Sequence, residues 1–293
     1  MFSLNADLHS HSTASDGTLD AAALAARAKA NGVELWALTE HDELSGLAAA
    51  RAAAAAHGLA FVDGVELSVT FAGATVHIVG LGIDPANEAL AAGIAAVRAG
   101  RELRARQMGD GLAQAGIPGA YEGAVALAPN PHLVSRTHFA RFLIANGAAA
   151  DMRQVFSRYL TTGKPGYVEH QWARLGDAVG WIRAAGGVAV IAHPGRYDFT
   201  PTEEFALFSE FKAHGGQAVE VVTGSHHGSD VAKYADMALE FDLLASRGSD
   251  FHDPRESRLD LGLLPGKPVL PARLTPVWTL WPRLAARHEA VAP

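Results

Sequence analysis

"NADLHSHSTASDG", residues 5–17, sets two histidines one residue apart at the end of a short strand-like run and an aspartate in the turn beyond. A strand has a side-chain period of two, so His9 and His11 face one way and Ser10 the other. A strand built only for packing needs no histidines, and a solvated turn needs no pair of them in register. The stretch reads as the first strand of a fold that carries chemistry at its strand ends.

Outward from it the chain alternates. "TLDAAALAARAKANG" (18–32) reads as a helix, with Thr18 as N-cap and Gly32 just past its end. "VELWALTEH" (33–41) reads as a strand and "LSGLAAARAAAAAHG" (44–58) as a helix. "LAFVDGVELSV" (59–69) and "TVHIVGLGI" (75–83) read as consecutive strands with a glycine-containing turn between them. One long helix is expected over roughly 87–116. Residues ~117–170 read as mostly helical, broken by "APNPH" and "TGKPG". The rhythm resumes with strands in "VAVIAHPG", "AVEVVTGS" and "LLASRGSDFH" and helices between them. The proline-rich "LLPGKPVLPARLTPVW" (263–278) is expected to wrap the surface. About seven strands joined mostly by helices imply a parallel sheet, and 293 residues suit a barrel better than an open sheet. The expected fold class is therefore α/β, a TIM-like barrel from residues 1–99 plus 171–293. Residues 100–170 form a small helical insertion that contributes to the substrate pocket.

Composition narrows the chemistry. Hydrophobic content of 49% and charged content of 19% fit a chain with a sizeable core. No apolar run approaches the ~18 residues that a bilayer span needs, and the N-terminus lacks a basic-then-apolar leader pattern. A cytoplasmic protein without a membrane partner is expected. With no cysteine, disulfides, thiolate metal sites and a cysteine nucleophile are all excluded. The net charge of −7 argues against stable binding to duplex nucleic acid. Between Arg98 and Arg174, however, ten Lys/Arg stand against five Asp/Glu, inside an otherwise acidic chain. A basic segment so placed suggests a small anionic ligand.

In a βα barrel the C-terminal strand ends share one face, and that face carries the chemistry. His9 and His11 end the first strand, Asp16 follows in the loop, and His41 ends the second in "LTEHD". Glu66 ends the third in "GVELS", and His77 lies in the fourth. His193 ends the fifth in "AHPG", and Asp250 and His252 end the last in "GSDFH". Imidazole nitrogen and carboxylate oxygen suit Zn²⁺, Mn²⁺ or Fe²⁺. Nine such ligands exceed what one or two ions use, and three divalent ions take the set naturally. His57 and His214 fall where helices should end and His288 in the tail, so all three are expected to be structural or solvated.

"DLHSHSTASDG", "LTEHD", "GVELS", "AHPGRY" and "GSDFH" resemble the successive motifs of the PHP (polymerase and histidinol phosphatase) metallophosphoesterases. The likeness runs from residue 5 to about 253. It implies a distorted seven-stranded barrel, (β/α)7, with a metal cluster, often manganese, at the strand C-termini. By motif, His9, His11, Glu66 and Asp250 hold a first ion, and Glu66 bridges to a second held by His77 and His193. Asp16, His41 and His252 hold a third. Within the family the chain is most similar to members that hydrolyse nucleoside 3′,5′-bisphosphates such as pAp, and that act from the 5′ end on short oligoribonucleotides. The helical insertion, "RELRARQM", "SRTHFAR" and "GKPGYV" carry that finer likeness.

The expected reaction is phosphomonoester hydrolysis, with metal lowering the pKa of water so that no serine or cysteine nucleophile is required. Arg136, His138 and Arg196 are the expected phosphate contacts, with Arg101 and Arg104 behind them. Lys164 and Tyr167 are placed to close the pocket, and His226 to touch substrate. Histidinol-phosphate phosphatase is a rival reading, weakened by a basic insertion larger than one phosphate needs. A carbon–nitrogen hydrolase is a second rival, weakened because no lysine stands at a strand end. A third, a non-catalytic metal- or nucleotide-binding module, would be expected to have lost ligands, and none is missing here.

Overall fold

The computed structural model describes residues 4–264 and 270–282; His288 and part of the proline-rich tail lie outside them. In chain order β1 (Ala6–Asp7), α1 (Ala21–Ala30), β2 (Leu35–Leu38), α2 (Leu47–Ala56) and β3 (Ala60–Phe71) alternate strand and helix, and β1–β2 and β2–β3 pair in parallel. After β4 (Ala74–Leu81) come α3 (Glu88–Ala99), α4 (Arg101–Gln114), α5 (Ala120–Ala126), α6 (Arg136–Ala145) and α7 (Met152–Val155). Then β5 (Ala173–Arg174), α8 (Leu175–Ala184), β6 (Val188–Ile191), α9 (Pro201–Ala213), β7 (Ala218–Thr223), α10 (Gly228–Glu240) and β8 (Leu244–Gly248) complete the sheet. The strand order is β1-β2-β3-β4-β6-β7-β8, with the two-residue β5 on β3 as an eighth strand. The sheet closes at a β8–β1 seam. There Leu8 N–H donates to Arg247 O at 3.0 Å, Asp250 N–H donates to His9 O at 2.9 Å, and Ser10 bridges Phe251 in parallel. The α/β barrel is thus present, nearly closed.

The sheet is not parallel throughout, as strand–helix alternation had implied. β4 runs antiparallel to both β3 and β6. The cause is local: Phe71 pairs Ala74 across a two-residue loop, Ala72-Gly73, with φ of 47° and 76°. Positive φ at both central positions gives a tight hairpin turn, and a two-residue turn joins only antiparallel strands. The reversal moves His77 to the catalytic rim. It opposes Ser68, so the N-terminal half of β4 lies level with the C-terminal ends of the other strands.

Two helix expectations also change. The N-cap of α1 is Asp20, whose Oδ1 accepts from Ala23 N–H at 2.8 Å. Thr18 instead donates to Asp253 Oδ2 at 2.6 Å and pins the first loop to the last. The long helix is two, broken at Gly100, where an added Cβ would sit 2.5 Å from the His170 ring. His57 and His214 close α2 and α9 as C-caps.

Buried apolar side chains form two clusters. The larger fills the barrel and the gap to its helices, with Leu8, Trp36, Leu67, Ile78 and Val190 among its members. The smaller, around Met108, Leu112, Phe139, Leu143 and Leu160, belongs to α4–α7 and the π-helical turn Phe156–Leu160 that follows. No helix among the described residues is long and apolar enough to cross a membrane.

Candidate metal centre and anion pocket

The closing seam brings both ends of the sequence pattern together. His9 Nε2 and His11 Nε2 each lie 3.3 Å from Glu66 Oε2, and His11 Nε2 lies 3.2 Å from Asp250 Oδ1. His252 Nε2 lies 3.3 Å from Asp16 Oδ1. Glu66 meets five rings from one carboxylate: besides His9 and His11, its Oε2 is 2.9 Å from His41 Nδ1 and its Oε1 is 2.9 Å from His77 Nδ1. His193 Nε2 joins the same Oε1 at 3.0 Å. Three ligand groups result, each with atoms within 4.8 Å of one another: His9, His11, Glu66 and Asp250; His11, Asp16, His41 and His252; and His41, Glu66 and His77. His193 stands beside the third through Glu66.

The donor set fits divalent cations. His9 Nε2, both ring nitrogens of His11, His41 Nδ1, His77 Nδ1, His193 Nδ1, Asp16 Oδ1 and Glu66 Oε2 are buried without a hydrogen bond. Orphaned polar atoms are costly inside a protein unless an ion or solvent meets them. Electrostatics are polarised in the same sense. Burial would raise the carboxyls of Glu66, Asp16 and Asp250, but the surrounding imidazoles hold all three well below the usual carboxylate range. Burial would lower His11, but the carboxylates of Asp250 and Glu66 close beside it lift it to about 10. His193 goes the other way, to about 3, through burial and the neighbouring Arg196. Backbone strain concentrates here too: His193, Asp250 and Asp42 have φ of 29°, 56° and 47°. Non-glycine residues held in that region cost roughly 1–3 kcal/mol each and persist only where the surroundings enforce them.

Above the cluster lies a cavity of about 430 Å³, open to solvent. Its floor includes Asp16, His41, His77, His193, Asp250 and His252. The helical layer supplies Arg101, Arg104 and Arg136, β6's loop supplies Arg196, and the loop after β8 supplies Arg258. These five cations are not equivalent; Arg258 lies against the ring nitrogens of His227. Arg196 pairs with Asp250 at 2.5 Å, and Arg101 is buried against Asp42 and Ser68. Arg104 is 6% exposed, and among the described residues its one hydrogen bond is a long 3.4 Å contact to Val168 O. Arg104 and Arg136 have no carboxylate partner among the described residues; they lie against the rings of Trp172 and Phe156 at 5.3 and 5.8 Å. Burial, with repulsion from Arg136 and Arg101, drops Arg104 to about 9.

The other expected substrate contacts fall elsewhere. His138 is fully buried: its Nδ1 accepts from Ser135 N–H at 3.0 Å and completes the capping box of α6. His226 is also spent, since Nδ1 donates to Val221 O at 2.9 Å and Nε2 accepts from Gly195 N–H at 3.1 Å. Lys164 and Tyr167 are not on the cavity wall. Sequence reasoning missed two buried carboxylates that hold the floor. Glu40 accepts from Ser12 and Ser15, fixing the loop that carries Asp16. Glu220 accepts from His9 and His193. A charge inside the apolar run "AVEVVT" was the available signal for the second. Trp172 and Phe156, which back the unpaired arginines, carried no signal.

A rim of ligands beneath a roof of cations defines a class, the metal-binding α/β barrel that receives an anion. Residues 7–171 match the PHP domain, and the chain belongs to that family. It is 54% identical to a 3′,5′-nucleoside bisphosphate phosphatase of Chromobacterium violaceum, over 94% of this chain and 95% of that one. It is 44% identical to a 5′-3′ exoribonuclease of Haemophilus influenzae, over 85% and 90%. The fold is shared with an amidohydrolase structure from Chromobacterium violaceum that holds sulfate and no metal. The TM-score is 0.91 at 54% identity, over 97% of this chain and 96% of that one.

Proposed function

We propose that this protein is a metal-dependent phosphoesterase that removes the 3′-phosphate of nucleoside 3′,5′-bisphosphates, converting pAp to AMP and phosphate. One observation carries the reading. Three guanidiniums without carboxylate partners among the described residues, Arg104, Arg136 and Arg258, share a cavity with the ligand cluster. A substrate with two phosphates uses both ends: one meets the cluster, the other the arginines. Histidinol phosphate, with one phosphate, and an amide, with none, leave the roof unused. The names of the two relatives point the same way.

By this reading His9, His11, Glu66 and Asp250 hold one ion, Glu66, His77 and His193 a second, and Asp16, His41 and His252 a third. Nitrogen and oxygen donors suit manganese, with Fe²⁺ or Zn²⁺ as alternatives. When bound, such ions polarise the phosphoryl group and make water a competent nucleophile near neutral pH. Water adds its oxygen to phosphorus, the O3′–P bond breaks, and the proton ends on the nucleoside O3′. Arg196, beside Asp250, is placed to neutralise charge on the reacting phosphate. Glu40 keeps the Asp16 loop in place while substrate enters. Breaking the same O3′–P bond in a 5′-phosphorylated oligoribonucleotide releases a 5′-mononucleotide and leaves a new 5′-phosphate, so the remainder is again a substrate.

The test is Arg136→Ala with Mn²⁺. KM for pAp rises ten- to a hundredfold, as expected for a lost charge-assisted contact worth ~1.5–3 kcal/mol, while KM for adenosine 3′-monophosphate hardly moves. Equal losses on both substrates would place Arg136 at the scissile phosphate and overturn the two-phosphate reading.

A further inference from the structure

We propose that Glu220 is the positioning residue that fixes which nitrogen of His9 faces the metal centre, and thereby governs occupancy of the ion that His9 holds. The inference rests on the reading of His9 as a ligand. Glu220 lies on β7, one strand from the closing seam between β8 and β1, and is 1% exposed. Its two oxygens are committed to different strands. Oε1 is 2.9 Å from His9 Nδ1, and Oε2 is 2.7 Å from the backbone N–H of His193. A backbone N–H can only donate, so Oε2 must accept. With the carboxylate ionised, Oε1 accepts as well, and the proton lies on Nδ1 of His9. Nε2 is then left with its lone pair, pointing at Glu66 Oε2 and Asp250 Oδ1 without a hydrogen bond of its own.

Only a carboxylate meets both demands, because both partners are donors. An amide of the same shape offers one acceptor and one donor. If its oxygen stays on His193, its NH₂ faces Nδ1 and forces the proton round to Nε2, where it blocks a metal. If its oxygen turns to His9, its NH₂ opposes the His193 N–H. That N–H belongs to a residue with φ of 29° and ψ of 56°, so Glu220 also holds in place a backbone that strain would otherwise release. The bare backbone of Gly248 makes room for the carboxylate, since a Cβ there would lie 3.0 Å from Glu220 Oε1. Carboxylates behind a ligating imidazole set its tautomer and raise its donor strength, and their loss typically weakens metal binding 10- to 100-fold.

The experiment measures metal, not turnover. Wild type and Glu220→Gln are loaded with Zn²⁺, dialysed at fixed free metal, and assayed for bound equivalents, with ¹⁵N NMR of the histidine rings as a second readout. The expected wild-type result is one imidazole with protonated Nδ1 and coordinated Nε2 whose Nδ1 proton is lost from the spectrum in Glu220→Gln. The variant should bind about one equivalent less, with a 10- to 100-fold weaker Kd for that ion and the others retained. An unchanged stoichiometry and affinity in the variant overturns the role of Glu220. Wild-type protein that binds no metal overturns the ligand reading beneath it. Should Glu220→Gln fail to fold, the wild-type spectrum decides: His9 coordinated through Nδ1 rules the proposal out.

Discussion

His138 shows how a residue of the right type can serve structure. Its ring is buried, and burial together with the charge of Arg141 pushes its pKa down to about 4, against the pull of Asp16. The sign of the consequence is fixed. Above pH 6.5 both folded and unfolded chains carry it neutral. As pH falls from 6.5 towards 4 only the unfolded chain takes up the proton, so stability is lost in that window, at about 1.4 kcal/mol per pH unit. Glutamine at the same capping position keeps an acceptor for Ser135 N–H without titrating. Urea unfolding of His138→Gln and wild type should therefore diverge with pH, the wild type losing about 2 kcal/mol more between pH 7 and pH 5. Parallel profiles would show that the ring titrates freely. At this scale the gathered histidines and carboxylates were legible because a spacing of two on a strand leaves little choice of direction. Glu220 and Glu40 were not, since a buried acceptor is recognised only by the donors around it, and those come from other strands.

Elements are joined here by buried charge. Asp42, with positive φ, accepts from Ser68 N–H and Oγ at 2.9 Å each and holds Arg101 at the start of α4. Arg141 of α6 clamps Glu256 with Nε and Nη2 and donates to Asp16 O at 2.8 Å. The helical layer thus rests on the first, second and last barrel loops. Removing one partner of a buried ion pair strands the other, at a cost of about 3–5 kcal/mol, whereas replacing both by apolar groups is often close to neutral. Asp42→Asn should lose stability on that scale in urea unfolding, and Asp42→Asn with Arg101→Met should recover most of it. Additive losses would mean that Asp42 serves Ser68 alone. The helices themselves were legible from periodicity. The break at Gly100 was not, because the obstacle to a side chain there is His170, seventy residues on.

For the whole molecule the seam between first and last strands is decisive. Gly248 lies against His9, and an added Cβ would be 2.2 Å from His9 Cβ and 2.7 Å from its N. These are atoms of the barrel wall with no freedom to retreat. Gly248→Ala should cost at least the 1–3 kcal/mol usual for overpacking, and it should lower bound metal in the same preparation, since His9 must shift. A variant with wild-type Tm and full metal content would show that the seam yields more easily than its packing indicates. The barrel was legible as a whole from strand–helix alternation. The glycine turn before the fourth strand was legible too; the sign not used was its length, since a two-residue link, Ala72-Gly73, joins only antiparallel strands.

The two apolar cores have a mechanical meaning. Cluster and roof have separate apolar interiors, and side-chain struts, among them Arg101 to Asp42, Arg141 to Glu256, Ser135 to Asp16 and Asn130 to Ala14, span the gap between them. That makes the protein a calliper. Its jaws are prefabricated and its opening is set by a handful of screws, so the length of molecule it accepts can drift by exchanging a strut while both jaws stay as they are.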